Sequence, residues 1–163
     1  MWTCRTCGAQ HEEAPFCFGA DAPWRELVDE DEFDRRVQLS ADQCIVDEKV
    51  FFIRGHIEIP IHATQTEFVW SVWCSLSKES HERCAARWEL PERQGDSYFG
   101  WLSTDIFGYP ETRNLKTNVI IREPGRVPRI QLQASGHPLY AEQRDGITLE
   151  AASLKSHELL HAV

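Results

Sequence analysis

The clearest pattern of hydrophobic and polar positions lies in residues 50–76, VFFIRGHIEIPIHATQTEFVWSVWCSL. Hydrophobic and polar residues alternate in its first half, which predicts a β-strand with one buried face. Its second half, from residue 67 onward, is largely apolar, which is typical of a strand covered on both faces. The polar residues 62–66 between the two halves are typical of a hairpin loop. We therefore predict an antiparallel hairpin around which the rest of the chain packs.

The remaining pattern predicts further strands and helices around this hairpin. Strands are expected near residues 44–46, 115–122 and 127–133, and helices near 29–39, 77–88, 137–144 and 148–163. Residues 91–110 combine three glycines with several aromatic residues, which indicates a long aromatic loop folded onto the domain. The predicted fold class is α+β, with a mostly antiparallel sheet of four to six strands and helices on one face.

The N-terminal residues differ in composition from the rest of the chain. Residues 1–20 contain Cys4, Cys7 and Cys17 but little hydrophobic periodicity, so something other than a core is needed to order them. We therefore divide the chain into a Cys-rich segment, residues 1–20, and a single α+β domain, residues 21–163. A chain of 163 residues is long enough to bury a core without disulfide bonds.

Charge and composition narrow the range of partners. The formal net charge is −9, which repels nucleic acid and anionic membrane surfaces and favours a basic protein partner. The sequence shows neither a signal-peptide pattern nor 18 consecutive apolar residues, so we expect a cytoplasmic protein without a membrane anchor. In that compartment the six cysteines should stay reduced, and their spacing is interpreted first as metal binding. The oligomeric state does not follow from the sequence.

The pair Cys4-x-x-Cys7, followed by glycine, is typical of a zinc knuckle, because two thiolates at this spacing reach one ion across a tight turn. Our preferred ligand set is Cys4, Cys7, His11 and Cys44, with Cys17 as the substitute for His11. A closed set of three thiolates and an imidazole would hold a structural zinc ion that attaches the N-terminal segment to the sheet. The alternative is that Cys44 is a small buried hydrophobic residue and the N-terminal pair are free thiols.

Several short motifs distributed along the whole chain also occur together in a known family. They are CxxCG with His11, DQC at 42–44, FIRG at 52–55 with EIP at 58–60, FxW at 68–70 with VW at 72–73, GWL at 100–102, YP at 109–110 with LK at 115–116, and HPL at 137–139 with EQ at 142–143 and GIT at 146–148. In these motifs the chain resembles a bacterial family of uncharacterised proteins, domain of unknown function 2199. Cys17, Cys74 and Cys84 lie outside this pattern, which weakens Cys17 as a ligand candidate. The resemblance implies no activity.

Polar side chains on one side of the first hairpin strand form the best catalytic candidate. Arg54, His56 and Glu58 alternate along this strand, and His62 follows, so neighbouring side chains lie about 7 Å apart. Glu58 would act as a general base and Arg54 as an anion clamp, with His137 or Glu142 approaching from a short helix. The structural alternative is that these side chains pair with adjacent strands and that His137 caps its helix.

These observations leave three functional hypotheses. The first, which we prefer, is a non-catalytic cytoplasmic protein-binding module with a structural zinc, whose acidic surface engages a basic partner as immunity proteins or antitoxins do. The second is a small hydrolase or ligand-binding enzyme that uses the Arg54 and Glu58 strand face beneath the aromatic loop at 91–110. The third is a zinc-ribbon nucleic-acid binder, which the net charge opposes.

Overall fold

The computed structural model describes residues 16–161, together with the backbone of two short strands at residues 2–3 and 10–11. The strands are β1 (Trp2–Thr3), β2 (Gln10–His11), β3 (Cys17–Gly19), β4 (Val37–Leu39), β5 (Gln43–Val46), β6 (Val50–Pro60), β7 (Glu67–Leu76), β8 (Ser97–Leu102), β9 (Lys116–Ile120) and β10 (Arg129–Leu132). The α-helices are α1 (Phe33–Arg36), α2 (Lys78–Ala86), α3 (Pro138–Asp145) and α4 (Leu149–His161). Short 3-10 helices lie at Pro23–Glu26, Glu30–Glu32 and Pro91–Arg93.

The predicted hairpin is confirmed. Strands β6 and β7 pair antiparallel along their length, from Phe51 opposite Leu76 to Pro60 opposite Glu67. The apolar positions of β6 are buried, and Ile57 and Ile59 are fully excluded from solvent. The period-two pattern therefore identified the buried face of this strand correctly.

The sheet closes into a barrel, which the sequence did not predict. Strands β6, β7, β8, β9 and β10 pair in that order, and β10 pairs back to β6, where Arg129 lies opposite His56. Because an odd number of alternating strands closes the ring, the first and last strands run parallel to each other. The α+β class is confirmed, but the simple antiparallel sheet is wrong: the fold is a closed five-stranded mixed barrel with additional strands and helices.

Two glycines permit the close packing that a barrel of five strands requires. A Cβ atom on Gly55 would lie 2.3 Å from Ile130 Cδ1 across the interior. A Cβ atom on Gly100 would lie 2.9 Å from the carbonyl oxygen of Ser75. Side chains such as Val119 and Leu102 fill the interior that remains. The small interior is therefore a core filled by packed side chains.

A second hydrophobic cluster covers the outer side of the hairpin. Phe52 and Trp73 from the hairpin pack there with Cys44 of β5 and with Trp24 from the first 3-10 helix. The strands β3, β4 and β5 extend the sheet beyond the barrel, and β3 runs parallel to β7. The hairpin is thus covered on both sides, as the apolar composition of β7 predicted.

Two local predictions are wrong. The helix expected at residues 29–39 ends at Arg36, because Val37–Leu39 pairs as β4 with β5. The aromatic loop expected at residues 91–110 contains β8, which supplies Tyr98 and Leu102 to the barrel interior. The helices at α2, α3 and α4 are confirmed, and Ser77 caps α2 by accepting a hydrogen bond from the Ser80 amide.

Candidate functional site

The outer side of β6 carries the predicted polar row. Arg54, His56 and Glu58 are half-buried, whereas the intervening positions are buried in the barrel. The His56 amide donates a hydrogen bond to the carbonyl oxygen of Pro128 at 2.8 Å, beside the junction with β10. Burial lowers the pKa of His56, and the charge of Arg54 lowers it further. The predicted polar row is therefore present on β6, but its side chains contact different parts of the structure.

The Arg54 guanidinium contributes to the packing of the sheet. Its Nε donates to the carbonyl oxygen of Ala41 at 2.7 Å, and its Nη1 donates to Ser71 Oγ at 3.4 Å. Asp42 Oδ1 lies 3.9 Å from Nη2. These contacts connect β6 to β7 and to the turn before β5, so the Arg54 guanidinium has a structural role in the sheet.

Glu58 forms a two-point ion pair with Arg122, a residue that follows β9. Arg122 Nη2 lies 2.6 Å from Glu58 Oε1, and Nη1 lies 3.3 Å from Oε2. The pair is largely buried, with side-chain exposures of 12% and 20%. Arg122 Nε is also buried and has no acceptor among the described residues. One donor of this guanidinium therefore remains unsatisfied beside Glu58.

A cavity of about 520 Å³ lies over this ion pair. We call it the β6–β9 cavity and define it by Glu58, Glu67, Arg122, Arg126 and Arg129 together with Pro60, Gln94, Gly95, Ile120, Ile121, Glu123 and Gln143. Burial raises the pKa of Glu67, and the nearby charge of Glu58 raises it further. The Glu67 carboxylate forms no ion pair or side-chain hydrogen bond within the described residues. The cavity thus combines charges of both signs in a space that suits a small ligand.

The chain reversal from β9 to β10 supplies four residues of this cavity and is held by Arg93. The Arg93 side chain is 2% exposed and donates hydrogen bonds to the carbonyl oxygens of Arg122, Glu123 and Arg126 at 2.8, 2.8 and 3.3 Å. It also donates a hydrogen bond to the carbonyl oxygen of Trp88, and its guanidinium lies over the Trp88 indole ring. Arg93 therefore positions the cavity wall without lining it.

His137 and Glu142 belong to a different cluster. His137 caps α3 by accepting a hydrogen bond from the Leu139 amide at 3.0 Å. Glu142 accepts a hydrogen bond from the Tyr109 hydroxyl at 2.7 Å and pairs with Lys155 at 3.4 Å. Burial, followed by this hydrogen bond, raises the pKa of Tyr109. These contacts attach α3 and α4 to the loop after β8.

His62, the last member of the predicted row, also has a structural contact. Its Nε2 lies 2.7 Å from the carbonyl oxygen of Asp145 at the end of α3. Of the predicted 91–110 loop, Gln94 and Gly95 line the β6–β9 cavity, and Arg93 borders a smaller depression beside Arg54. The structure thus separates Arg54 from Glu58 and does not join either to His137 or Glu142 in one pocket.

The predicted metal ligands fall mostly outside the described residues. Cys4 and Cys7 lie outside them, and His11 is described only as part of the backbone of β2. Cys44 is fully buried in the second hydrophobic cluster, and burial raises the pKa of its thiol to about 11. Within residues 16–161 no three side chains of the ligating types are grouped to hold a metal ion.

A shallow groove of about 430 Å³ lies on the second hydrophobic cluster. We call it the acidic groove, and its lining residues are Asp21, Ala22, Trp24, Arg25, Glu30, Phe33, Asp34 and Leu39. Its apolar floor includes the tilted ring pair of Trp24 and Phe33, and Leu39 is 47% exposed at its edge. The three carboxylates outnumber the single guanidinium of Arg25. The sequence alone did not indicate this groove, because the groove forms by tertiary packing.

Sequence reasoning missed one motif near the end of the chain. Residues 157–161 read His-Glu-Leu-Leu-His, and this HExxH spacing is a known metal-binding signature on a helix. The structure places both histidines in the last turns of α4, with their rings stacked at a centroid distance of 5.7 Å. Both side chains are exposed. The signal was present in the plain sequence.

Together, these features define an α+β protein built on a five-stranded mixed barrel, with a charged cavity on its wall and an acidic groove on its outer layer. The chain belongs to the bacterial family described as "Uncharacterized protein conserved in bacteria (DUF2199)", whose model matches residues 3–147. The resemblance inferred from the distributed motifs is therefore confirmed. Neither the curated proteins nor the solved structures contain a match to the chain. Among the described helices, none has the length and apolar character needed to cross a membrane.

Proposed function

We propose that this protein is a non-catalytic cytoplasmic module that binds a basic protein partner through the acidic groove. The observation that carries this proposal is the combination of an open apolar floor with an excess of carboxylates around it. A partner segment with a large apolar side chain flanked by Lys or Arg would complement both parts. Immunity proteins and antitoxins present acidic surfaces to basic toxins in this way.

The contacts of the predicted catalytic residues support a binding role. Arg54, Glu58, His137 and Glu142 are all used in hydrogen bonds or ion pairs that hold elements of the fold together. A general base needs a carboxylate or imidazole directed at a substrate, and a fully paired side chain meets this need poorly. The acidic groove, by contrast, has Leu39 and Asp34 open to solvent.

A photocrosslinking experiment in bacterial lysate tests the groove. A benzoylphenylalanine introduced at Leu39 should crosslink a partner with a high isoelectric point at low salt, and high salt should reduce the yield. The same probe at Leu154, which is 60% exposed on α4, is the matched control and should not capture that partner. In the double variant E30K/D34K, the probe at Leu39 should no longer capture this partner. Equal capture at both positions, or capture that the charge reversal leaves unchanged, would contradict the proposal.

We also propose a structural zinc ion bound by Cys4, Cys7, His11 and Cys44. The antiparallel pairing of β1 with β2 supports it, because Cys4 and Cys7 fall between these two strands in the sequence. The apolar surroundings of Cys44 count against this residue as the fourth ligand, and Cys17 remains the substitute for His11.

Elemental analysis of the purified protein tests the zinc site. We expect one zinc per chain in the parent protein and none in C4S. C84S is the matched control, because Cys84 is also a buried thiol but lies outside the predicted set. Zinc retained in C44S would show that Cys44 is not a ligand, and a parent protein without zinc would refute the site.

A second candidate function is the binding of a small anionic ligand in the β6–β9 cavity. The specific observation that favours it is the buried Arg122 Nε, which has no acceptor among the described residues, in a cavity that the exposed Arg129 also lines. Thermal shift measurements with phosphate and citrate would detect such binding as a rise in Tm. R129Q should reduce the rise, whereas R144Q should not, because Arg144 lies outside the cavity and pairs with Asp145. No shift with either anion would remove this candidate.

A further inference from the structure

The last two turns of α4 present two histidines on one side of the helix. His157 and His161 are four residues apart, a spacing that brings side chains together on a helix surface. Their rings are nearly parallel, with an interplanar angle of 19° and a centroid distance of 5.7 Å. Neither ring makes a hydrogen bond or ion pair within the part of the chain that the structure describes. Both imidazoles are therefore available to a ligand.

We propose that His157 and His161 bind a divalent transition metal ion. Two neutral imidazoles at this spacing can ligate one ion after small rotations of exposed side chains, and imidazole nitrogen suits copper, nickel and zinc. Because the rings are already close together, the helix has brought the two ligands together before the ion arrives. Water molecules complete the coordination shell, since no third ligating side chain joins the pair within residues 16–161.

The site is distinct from the functions proposed above. It lies beyond residues 3–147, which the family model matches. It is also separate from the predicted zinc set at Cys4, Cys7, His11 and Cys44. The exposed position of the pair and its lack of a third protein ligand favour reversible metal binding over the hydrolytic chemistry that buried HExxH sites perform.

Titration calorimetry with copper, nickel and cobalt chloride tests the proposal. The full chain with C4S and C7S is the reference protein, so that thiolates at the N-terminus do not compete for the ion. We expect affinity to increase from cobalt to nickel to copper, in the order set by imidazole ligands. H157A and H161A should each weaken binding by at least about tenfold, the loss typical even when only an outer-shell partner is removed.

Two comparisons separate the histidine pair from adventitious binding. E150Q changes an exposed carboxylate on the same helix and should keep the reference affinity. Binding by the reference protein should weaken in acid, because a protonated imidazole is not a ligand. Circular dichroism checks that each variant keeps its helix content. If H157A and H161A both bind copper as tightly as the reference protein, or if E150Q loses as much affinity as they do, the proposal is wrong.

Discussion

The buried guanidinium of Arg93 leads to the strongest prediction about stability. It donates four hydrogen bonds to backbone carbonyl oxygens at 2.8–3.3 Å while its side chain is 2% exposed. In R93M the methionine fills much of the same volume, but these carbonyl oxygens lose their donor. Hydrogen bonds to a charged group contribute about 1.5–3 kcal/mol each, and water replaces some of them, so we expect a loss of about 3–5 kcal/mol.

Urea denaturation followed by tryptophan fluorescence and far-UV circular dichroism measures this loss. For a chain of this length, the expected loss corresponds to a Tm decrease of about 6–20 °C. R87M is the matched control: Arg87 pairs with Asp96 at 2.5 Å but is 37% exposed, so its removal should cost much less stability than R93M does. R93K keeps the charge but offers a single ammonium nitrogen instead of the planar guanidinium, so its loss of stability should lie between those of R93M and R87M.

A result within 1 kcal/mol of the parent for R93M would refute the reasoning. It would mean that water satisfies the carbonyl oxygens of the β9–β10 reversal as well as Arg93 does. Equal losses in R93M and R87M would also count against it, because burial would then make no difference to the value of the guanidinium.

Three further predictions concern the barrel and its surroundings. G55A places a Cβ atom 2.3 Å from Ile130 Cδ1 and should lower the free energy of unfolding by about 1–3 kcal/mol in urea denaturation. The double variant G55A/I130A should lose less stability than the sum of the two single variants, because I130A removes the clash. Simple additivity would argue against this contact. Y109F removes the hydrogen bond to Glu142 and should cost about 1 kcal/mol, measured by thermal unfolding, and an unchanged Tm would argue against that bond. Burial holds the pKa of His56 below its ordinary value, so the unfolded chain binds the proton more readily than the folded one. Stability should therefore fall as the pH decreases below about 6.5. H56Q should reduce this pH dependence in urea denaturation at pH 5.5 and 7.5.

The parts of the fold that local patterns determine were predictable from the sequence. The alternation in residues 51–61 identified the buried face of β6, and the predicted helix starts at residues 77 and 137 coincide with the N-caps of α2 and α3. These features depend on side-chain periodicity and on caps that satisfy the first amides of a helix, and both are local properties.

The closure of the barrel could not be predicted in this way. The pairing of β10 with β6 joins residues far apart in the sequence, and no periodicity specifies it. Strand β8 was not predicted because Gly100 resembled a loop residue. In the structure Gly100 has a different role: without a Cβ atom, β8 can approach β7 closely. The helix expected at 29–39 failed because pairing with β5 outweighed the helical apolar spacing.

The candidate site was only partly foreseeable for the same reason. Glu58 was singled out from its strand, but its partner Arg122 follows a different strand and is brought to it by the barrel. Arg93, Arg126 and Arg129 carry no motif that indicates their roles. The HExxH motif differs from these, because its spacing alone was sufficient to find it.

The junction between β6 and β10 has a consequence for how the molecule opens. It has one paired position, Arg129 opposite His56, whereas the hairpin junction between β6 and β7 has ten. Backbone amides along this seam should therefore exchange with deuterium before those of the hairpin. Glu58 of β6 and Arg129 of β10 both line the β6–β9 cavity, so transient separation of these strands would widen the cavity and admit solvent toward the interior of the barrel.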